Sequence, residues 1–431
     1  MGRAFDLVVT GKAYIGGRVV EASIGVEDGR IAAVSSPALA GSAEERIELG
    51  KGYLVLPGMV DIHVHMREPG QEYKEDWRTG SRAAVKGGVT FVADMPNNKP
   101  PANTCERLAE KLRRAGEKSL VDFAFYAGFS ENPEELLRCP ELFVGGKLYP
   151  EELFSRSAAY FARLMAKLGK PLVVHAEDPS MFRESRGLPH SYARPPEAEL
   201  SGVRRALRLC GEAGAWVHVT HVSTGAAVTE LLSAKLSGLK ATFDVTPHHA
   251  LLTDSLYSTT LSRIAKVNPP LRGEADRSAV YSALARGLPD ALVTDHAPHS
   301  PEEKASEDPP PGFPGLELAL HLLLSEVLAG RLPLGVIDLY SSRPASLLGV
   351  EKGAIAVGMD ADLVVVKREE WVVRGDEMVS KARYTPFEGW RLSTKTHAVF
   401  VRGRMVYAEG EFFEDARGSL RAPRGAPERW W

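Results

Sequence analysis

Two histidines stand one residue apart in Asp61-Ile62-His63-Val64-His65-Met66-Arg67, just after the apolar run Tyr53-Leu54-Val55-Leu56 and a Pro57-Gly58 break. On an extended strand alternate side chains share a face. His63, His65 and Arg67 are therefore expected to point the same way. Two adjacent imidazoles can ligate one metal, and a guanidinium two positions on can hold a carboxylate. One short strand thus suggests a metal centre and an anionic substrate together. The plain alternative is two surface histidines on an ordinary strand.

Similar residues recur after other apolar runs. Lys147 follows Leu142-Phe143-Val144-Gly145-Gly146, and His175 follows Leu172-Val173-Val174. His221 follows Val217-His218-Val219-Thr220, and Asp295 follows Ala291-Leu292-Val293-Thr294. Singly, each is an ordinary strand-end residue. Jointly they supply donors for two metals: His63 and His65 for one, His175 and His221 for the other, with Asp295 capping an open position. A bridging anion is missing, and Lys147 can provide it only as a carbamate, formed when a neutral buried amine adds CO2. A structural lysine paired with a carboxylate is the alternative. Two zinc ions about 3.5–4 Å apart would share a hydroxide generated at neutral pH. His218 is expected to pack within its strand. His190, His321 and His397 are expected on the surface or on helices, and His248 or His249 in a supporting role beside Asp244.

A scaffold must bring these positions together. From about residue 56 to 349, apolar strand-like runs alternate with helical segments such as Cys105 to Glu117. About eight strands are expected, giving an α/β chain with a (β/α)8 TIM-like barrel whose chemistry collects at the C-terminal strand ends. Both chain ends read as β: Leu7-Val8-Val9, Ala22 to Val26 and Ile31 to Val34 at one, Asp362 to Val366 and Ala398 to Val401 at the other. Asp28-Gly29 and Arg402-Gly403 mark turns. The expected division is therefore 1–55 and 350–431 as the two parts of a small β-sandwich, around a barrel of 56–349.

The bulk numbers narrow the function. The 431 residues are 44% hydrophobic and 25% charged with net charge −3, so no global field favours nucleic acid. No apolar stretch of about 18 residues suggests a membrane span, and the N-terminus shows no long apolar signal core. Cys105, Cys139 and Cys210 form no Cys-x-x-Cys pair and suggest free thiols in a reducing, cytoplasmic setting. The Pro309 to Gly315 run reads as a stiff loop.

With these residues in view, the chain resembles the dihydroorotases of the amidohydrolase superfamily over nearly its whole length. Pro57 to Gly70 resembles the opening signature, Asp94-Met95-Pro96-Asn97 the second motif, and Asp295-His296-Ala297-Pro298-His299 the late one. Pro311 to Glu317 is similar to the loop beyond it, and Gly146-Lys147-Leu148-Tyr149 to branches that carry a carboxylated lysine. The terminal Gly358 to Val364 motif is shared across the superfamily.

The resemblance implies reversible cyclisation of N-carbamoyl-L-aspartate to L-dihydroorotate in pyrimidine synthesis. It implies two zinc ions on His63, His65, N6-carboxylated Lys147, His175, His221 and Asp295. A metal-bridging hydroxide would attack the ring amide, with Asp295 as acid and base. Arg67, Asn97 and His299 would hold the substrate carboxylate, and Asn268 with the backbone at Pro311 and Gly312 would contact the ring amides. The segment Tyr149 to Phe154 is expected to cover the pocket. A homodimer is the expected state, with association with aspartate carbamoyltransferase as a further expectation and no nucleic-acid or membrane partner. Hydantoinases and allantoinases resemble the chain at the metal positions, but their substrates lack the ring carboxylate and they generally lack the Arg67–Asn97 pair. A non-catalytic scaffold would lack ligands, yet all six positions are filled.

Overall fold

A computed structural model of the chain describes residues 5–184, 187–415 and 417–421. The N-terminal segment forms β1 (Phe5–Ile15), β2 (Arg18–Glu27), β3 (Arg30–Ser35), β4 (Ala43–Glu48) and β5 (Tyr53–Pro57). Then come eight strands, β6 (Met59–Val64), β7 (Val89–Asp94), β8 (Asp122–Gly128), β9 (Gly145–Leu148), β10 (Leu172–Val174), β11 (Val217–Val219), β12 (Ala241–Val245) and β13 (Ala291–Leu292). The chain closes with β14 (Leu363–Val372), β15 (Arg391–Val401), β16 (Arg404–Ala408) and β17 (Glu411–Phe412).

Strands β6 to β13 pair in sequence order, all parallel, and form the barrel. The ends of this sheet meet through a parallel bridge between Val64 and His296, where the His65 N–H donates to the His296 carbonyl at 2.8 Å. Every residue of β6, β7, β8 and β12 is buried. That follows from parallel strands packed on both faces, which makes them near-continuous apolar runs rather than alternating ones. Period two still sorts the faces. Val60, Ile62, Phe91, Ala93, Ala124 and Tyr126 pack in one cluster inside the barrel. Val92, Phe123 and Phe125 pack in another with residues of the surrounding helices, including Trp77, Leu108 and Phe161.

The terminal strands make one nine-stranded sheet, in the order β17-β16-β15-β14-β5-β1-β2-β3, with β4 also on β1. Both chain ends thus share a sheet, joined where β14 runs antiparallel to β5. Its separate core holds Val9, Ile24, Val26, Val55, Leu363, Val365 and Phe400. Between the sheet and the barrel, Lys352 is buried against Asp122 at 2.9 Å, Asp362 at 2.6 Å and Asp360 at 3.1 Å. Arg421 also bridges Asp122 and Asp360.

Two expectations are corrected. Residues Pro140–Leu142 form a 3-10 turn, and the fourth barrel strand is Gly145–Leu148, so Lys147 lies within it rather than after it. Gly145 and Gly146 serve as strand residues because a Cβ on either would meet a neighbour at under 3 Å. The expected free thiols also fail. Cys105 and Cys139 form a disulfide across a Cα–Cα distance of 5.8 Å, and Cys210 alone is free and buried. The barrel fold brings the start of helix Cys105–Lys118 beside the turn Pro133–Arg138, a pairing that a 34-residue separation does not reveal.

Candidate active site

At the C-terminal end of the barrel a cavity of about 430 Å³ is lined by His63, His65, Lys147, His175, His221 and Asp295. Arg67, Asn97, Asn268, His299, Pro311 and Gly312 line the same cavity. Every site position proposed from the sequence therefore meets in one place.

The local backbone explains how. His63 ends within β6 and His65 lies just past it, with ring centroids 5.3 Å apart. The strand stops there because the Met66 N–H turns to Asp94 Oδ1 and the Glu68 N–H to the Met66 carbonyl. Arg67 consequently adopts φ +64°, and reaches the cavity from a turn rather than from a strand face. His221 at φ +43° and Asp295 at φ +47° share this left-handed conformation. Non-glycine residues adopt it at a cost, and such strain concentrates at functional sites. Gly312, at φ +129°, brings its backbone so close to the Ala297 carbonyl that a Cβ would sit 2.5 Å from that oxygen.

The histidines are oriented from behind. Thr220 Oγ1 donates to Asp244, so its oxygen is free to accept from His63 Nδ1. His65 Nδ1 donates to Asn97 Oδ1 at 2.7 Å. His175 Nε2 donates to Glu177 at 2.6 Å, and Glu177 is in turn held by Arg194. These bonds fix the tautomers and leave His63 Nε2, His65 Nε2 and His175 Nδ1 with lone pairs, as partners behind metal-ligating histidines do. His63 Nε2 lies 3.4 Å and His65 Nε2 3.1 Å from Asp295 Oδ1, and the three residues offer ligand atoms all within 4.8 Å of one another. His175 and His221 meet edge to face with centroids 4.5 Å apart, and His221 Nδ1 is buried without a partner. Burial, then the neighbouring cationic groups, holds His63 and His221 well below the ordinary histidine range, so their lone pairs are available.

Lys147 is 1% exposed, and its amine finds no hydrogen-bond partner and no carboxylate within salt-bridge distance among the described residues. The alternative of a structural lysine paired with an acid is thus absent. Burial pushes its pKa down to about 8. An orphaned amine, an orphaned imidazole nitrogen and a His–His–Asp cluster together fit a metal-binding centre.

Next to that cluster the charge is positive. Arg67 is buried, its Nε donates to the Pro298 carbonyl at 3.0 Å, and no carboxylate lies within 4 Å of it among the described residues. His299 Nε2 lies 3.2 Å from Arg67 Nη2 and 3.1 Å from the Pro311 carbonyl.

A scan of family models matches residues 54–406 to the amidohydrolase family. The dihydroorotase of Methanothermobacter thermautotrophicus is 40% identical over 415 residues, covering 92% of this chain and 93% of that one. The dihydroorotase of Pyrococcus abyssi is 35% identical, covering 96% and 98%. The chain belongs to the dihydroorotases of the amidohydrolase superfamily. It is a metal-binding hydrolase of cyclic-amide carbon–nitrogen bonds, acting on a small-molecule substrate. Among solved structures, the L-hydantoinase from Arthrobacter aurescens superposes with a TM-score of 0.89 at 27% identity, covering 97% of this chain and 100% of that one. The D-hydantoinase from a Thermus species gives 0.86 at 26% identity, covering 96% and 98%. The barrel and terminal sheet are thus common to this dihydroorotase family and the hydantoinases.

Several functional neighbours escaped the sequence reading. Arg194 lines the cavity, and Glu177 and Thr220 orient its histidines. His190, expected on the surface or on a helix, opens the short helix His190–Ala193 and is half-buried, with Nε2 donating to Asn268 Oδ1 at 2.7 Å. His249 donates to the Pro269 carbonyl and steadies the same loop. Of the expected cover, Tyr149, Pro150 and Glu151 reach the cavity, whereas Leu153 is buried in the core and Phe154 is exposed. No helix among the described residues is long and apolar enough to cross a membrane.

Proposed function

We propose that this cavity cyclises N-carbamoyl-L-aspartate to L-dihydroorotate reversibly, with two zinc ions held by His63, His65, carboxylated Lys147, His175, His221 and Asp295. The observation that carries the substrate choice is Arg67: a buried guanidinium on the cavity wall with no carboxylate partner of its own among the described residues. An unpaired buried charge is costly, and a planar guanidinium matches a carboxylate in two parallel bonds. The dihydroorotate ring carries that carboxylate and a hydantoin ring does not.

Bound zinc supplies a Lewis acid for the scissile carbonyl and acidifies water at neutral pH. In this reading Asp295 moves the proton: it accepts one from the attacking water and delivers it to the ring nitrogen, or in the synthetic direction takes one from the ureido nitrogen. Arg67, the amide N–H groups of Asn97 and His299 hold the carboxylate. Asn268 and the backbone at Pro311 and Gly312 fix the ring amides. Lys147, with its pKa near 8, has enough neutral amine at physiological pH to add CO2, which supports the carbamate.

The reading includes the division into 1–55, 56–349 and 350–431, supported by terminal-sheet strands that end at Pro57 and resume at Leu363. It also includes a cytoplasmic homodimer and association with aspartate carbamoyltransferase, for which light scattering with and without that enzyme is the assay. The central test is metal analysis with turnover measured in both directions. Two zinc ions per chain and a kcat/KM for dihydroorotate far above that for hydantoin are expected. Equal rates on the two rings would overturn the substrate assignment in favour of a general cyclic amidase.

A further inference from the structure

Lys74 takes no part in the roles assigned above, yet it is buried and aimed at one of them. Its Nζ lies 3.1 Å from His299 Nδ1 and 3.0 Å from Glu303 Oε1. His299 Nδ1 also lies 3.3 Å from Glu303 Oε2, so two neighbours compete for one ring nitrogen. An ammonium only donates, and a carboxylate only accepts. If Lys74 wins, Nδ1 is a bare acceptor and the imidazole proton sits on Nε2. If Glu303 wins, the proton sits on Nδ1 and Nε2 has nothing to offer an anion.

The geometry favours the lysine. It is the closer of the two, and a Nδ1–H would face its three N–H donors directly. Glu303 is otherwise satisfied by the Lys74 ammonium, the Tyr73 hydroxyl and the Ser300 N–H. On the far side of the ring, Nε2–H has the Pro311 carbonyl at 3.1 Å and stands 3.2 Å from Arg67 Nη2. Two donors at that separation are relieved by a shared acceptor, and a carboxylate in the cavity is one.

We propose that Lys74 is a positioning residue for substrate: it fixes the tautomer of His299 so that Nε2–H, beside Arg67, donates to the ring carboxylate. The inference rests on the dihydroorotase reading of this cavity and deepens it. The charged and titratable groups facing His299 are Arg67 from the turn after β6, Lys74, Glu303 and Lys304 from the helix Pro301–Ala305, and Tyr384 from the C-terminal segment. Burial and then Arg67, Lys74 and Lys304 push the His299 pKa down to about 3, so the ring is neutral and carries one proton whose place matters.

The test compares K74M, K74R and E303Q with the native enzyme in dihydroorotate hydrolysis, with urea midpoints to confirm folding. K74M is expected to raise KM about tenfold at pH 8, the loss of one hydrogen bond to a charged group, with a smaller change in kcat. K74R keeps a donor and is expected to recover most of that KM. E303Q leaves Lys74 in command of Nδ1 and is expected to hold KM within about threefold. A positioning role moves KM more than kcat and is recovered by K74R, whereas a purely structural role for Lys74 would lower the urea midpoint and kcat together. The opposite pattern, with E303Q raising KM and K74M not, assigns the proton to Nδ1 and overturns the proposal. So does a K74R variant whose KM stays as high as that of K74M. A native protein that does not turn over dihydroorotate would instead remove the underlying reading, and this inference with it.

Discussion

Replacing Arg67 by Met isolates the clamp from the metal centre. Arg67 is 7% exposed, with Nε committed to the Pro298 carbonyl and the two terminal nitrogens left to face the cavity and His299. Hydrogen bonds to charged groups contribute about 1.5–3 kcal/mol each. A carboxylate gripped by two of them therefore gains about 3–6 kcal/mol. At 1.36 kcal/mol per tenfold, the substitution should lower kcat/KM for dihydroorotate by about 10²–10⁴. Methionine keeps most of the apolar stem, so the Pro298 carbonyl is the main group left unpaired and folding is only mildly affected. The clamp binds ground state and transition state alike, so the loss should appear chiefly in KM. The assay is steady-state hydrolysis of dihydroorotate beside 5,6-dihydrouracil, the same ring without the carboxylate, at matched zinc content. The uncharged ring should change by less than about threefold. A loss under threefold for dihydroorotate, or equal losses for both rings, would refute the claim that Arg67 selects the carboxylate.

Asp295→Asn should keep bound metal through its remaining oxygen but lower kcat by about 10²–10⁴, the usual range for removing a proton-transfer group; near-native turnover with metal bound would eliminate the proton role. Lys147→Met should lose metal stoichiometry as well as turnover, and native protein equilibrated with 13C-bicarbonate should show a carbamate resonance that the variant lacks. Lys352→Met should destabilise the chain by about 3–5 kcal/mol in urea, because it strands Asp122, Asp360 and Asp362 in a buried cluster. Burial alone would raise the Asp122 carboxyl, but Lys352, Arg402 and Arg421 outweigh it and hold it at about 2. A depressed carboxylate stabilises the fold above its unfolded value of about 3.9 and loses that contribution as pH falls through 2. The native urea midpoint should therefore drop between pH 4 and 2 by the equivalent of about 2 kcal/mol, and Asp122→Asn should flatten that slope.

The strand ends were legible because two periodic signals coincide there. An apolar run of a parallel strand terminates, and a polar residue follows at the barrel mouth. His175 follows β10 directly and was placed from that rule alone. Lys147 departs from the rule because the strand begins at Gly145, not at Leu142, and its glycines pair where larger side chains would not fit. Strand alternation does not carry Arg67 to the cavity: it reaches there through a left-handed turn. The disulfide, the His190–Asn268 contact and the Thr220–His63 contact were invisible because each joins segments brought together only by the closed barrel.

That last class sets the precision of the centre. Asp244 comes from β12, Thr220 from the loop after β11 and His63 from β6, yet they form one hydrogen-bonded series that turns His63 Nε2 inward. Asn97 does the same for His65 from the loop after β7. Its oxygen is therefore spent on the metal side, and only its N–H groups remain to hold a carboxylate. A donor is what an anion needs, so one side chain serves ligand orientation and substrate selection without conflict. The hydantoinase-like barrel alone cannot supply this coupling, since it depends on which residue follows β7. Exchange of Asn97 for Asp would turn the cavity-facing donors into acceptors while preserving the bond to His65. The chemistry of the pair thus predicts weakened dihydroorotate binding with metal retained, the signature that separates substrate choice from scaffold.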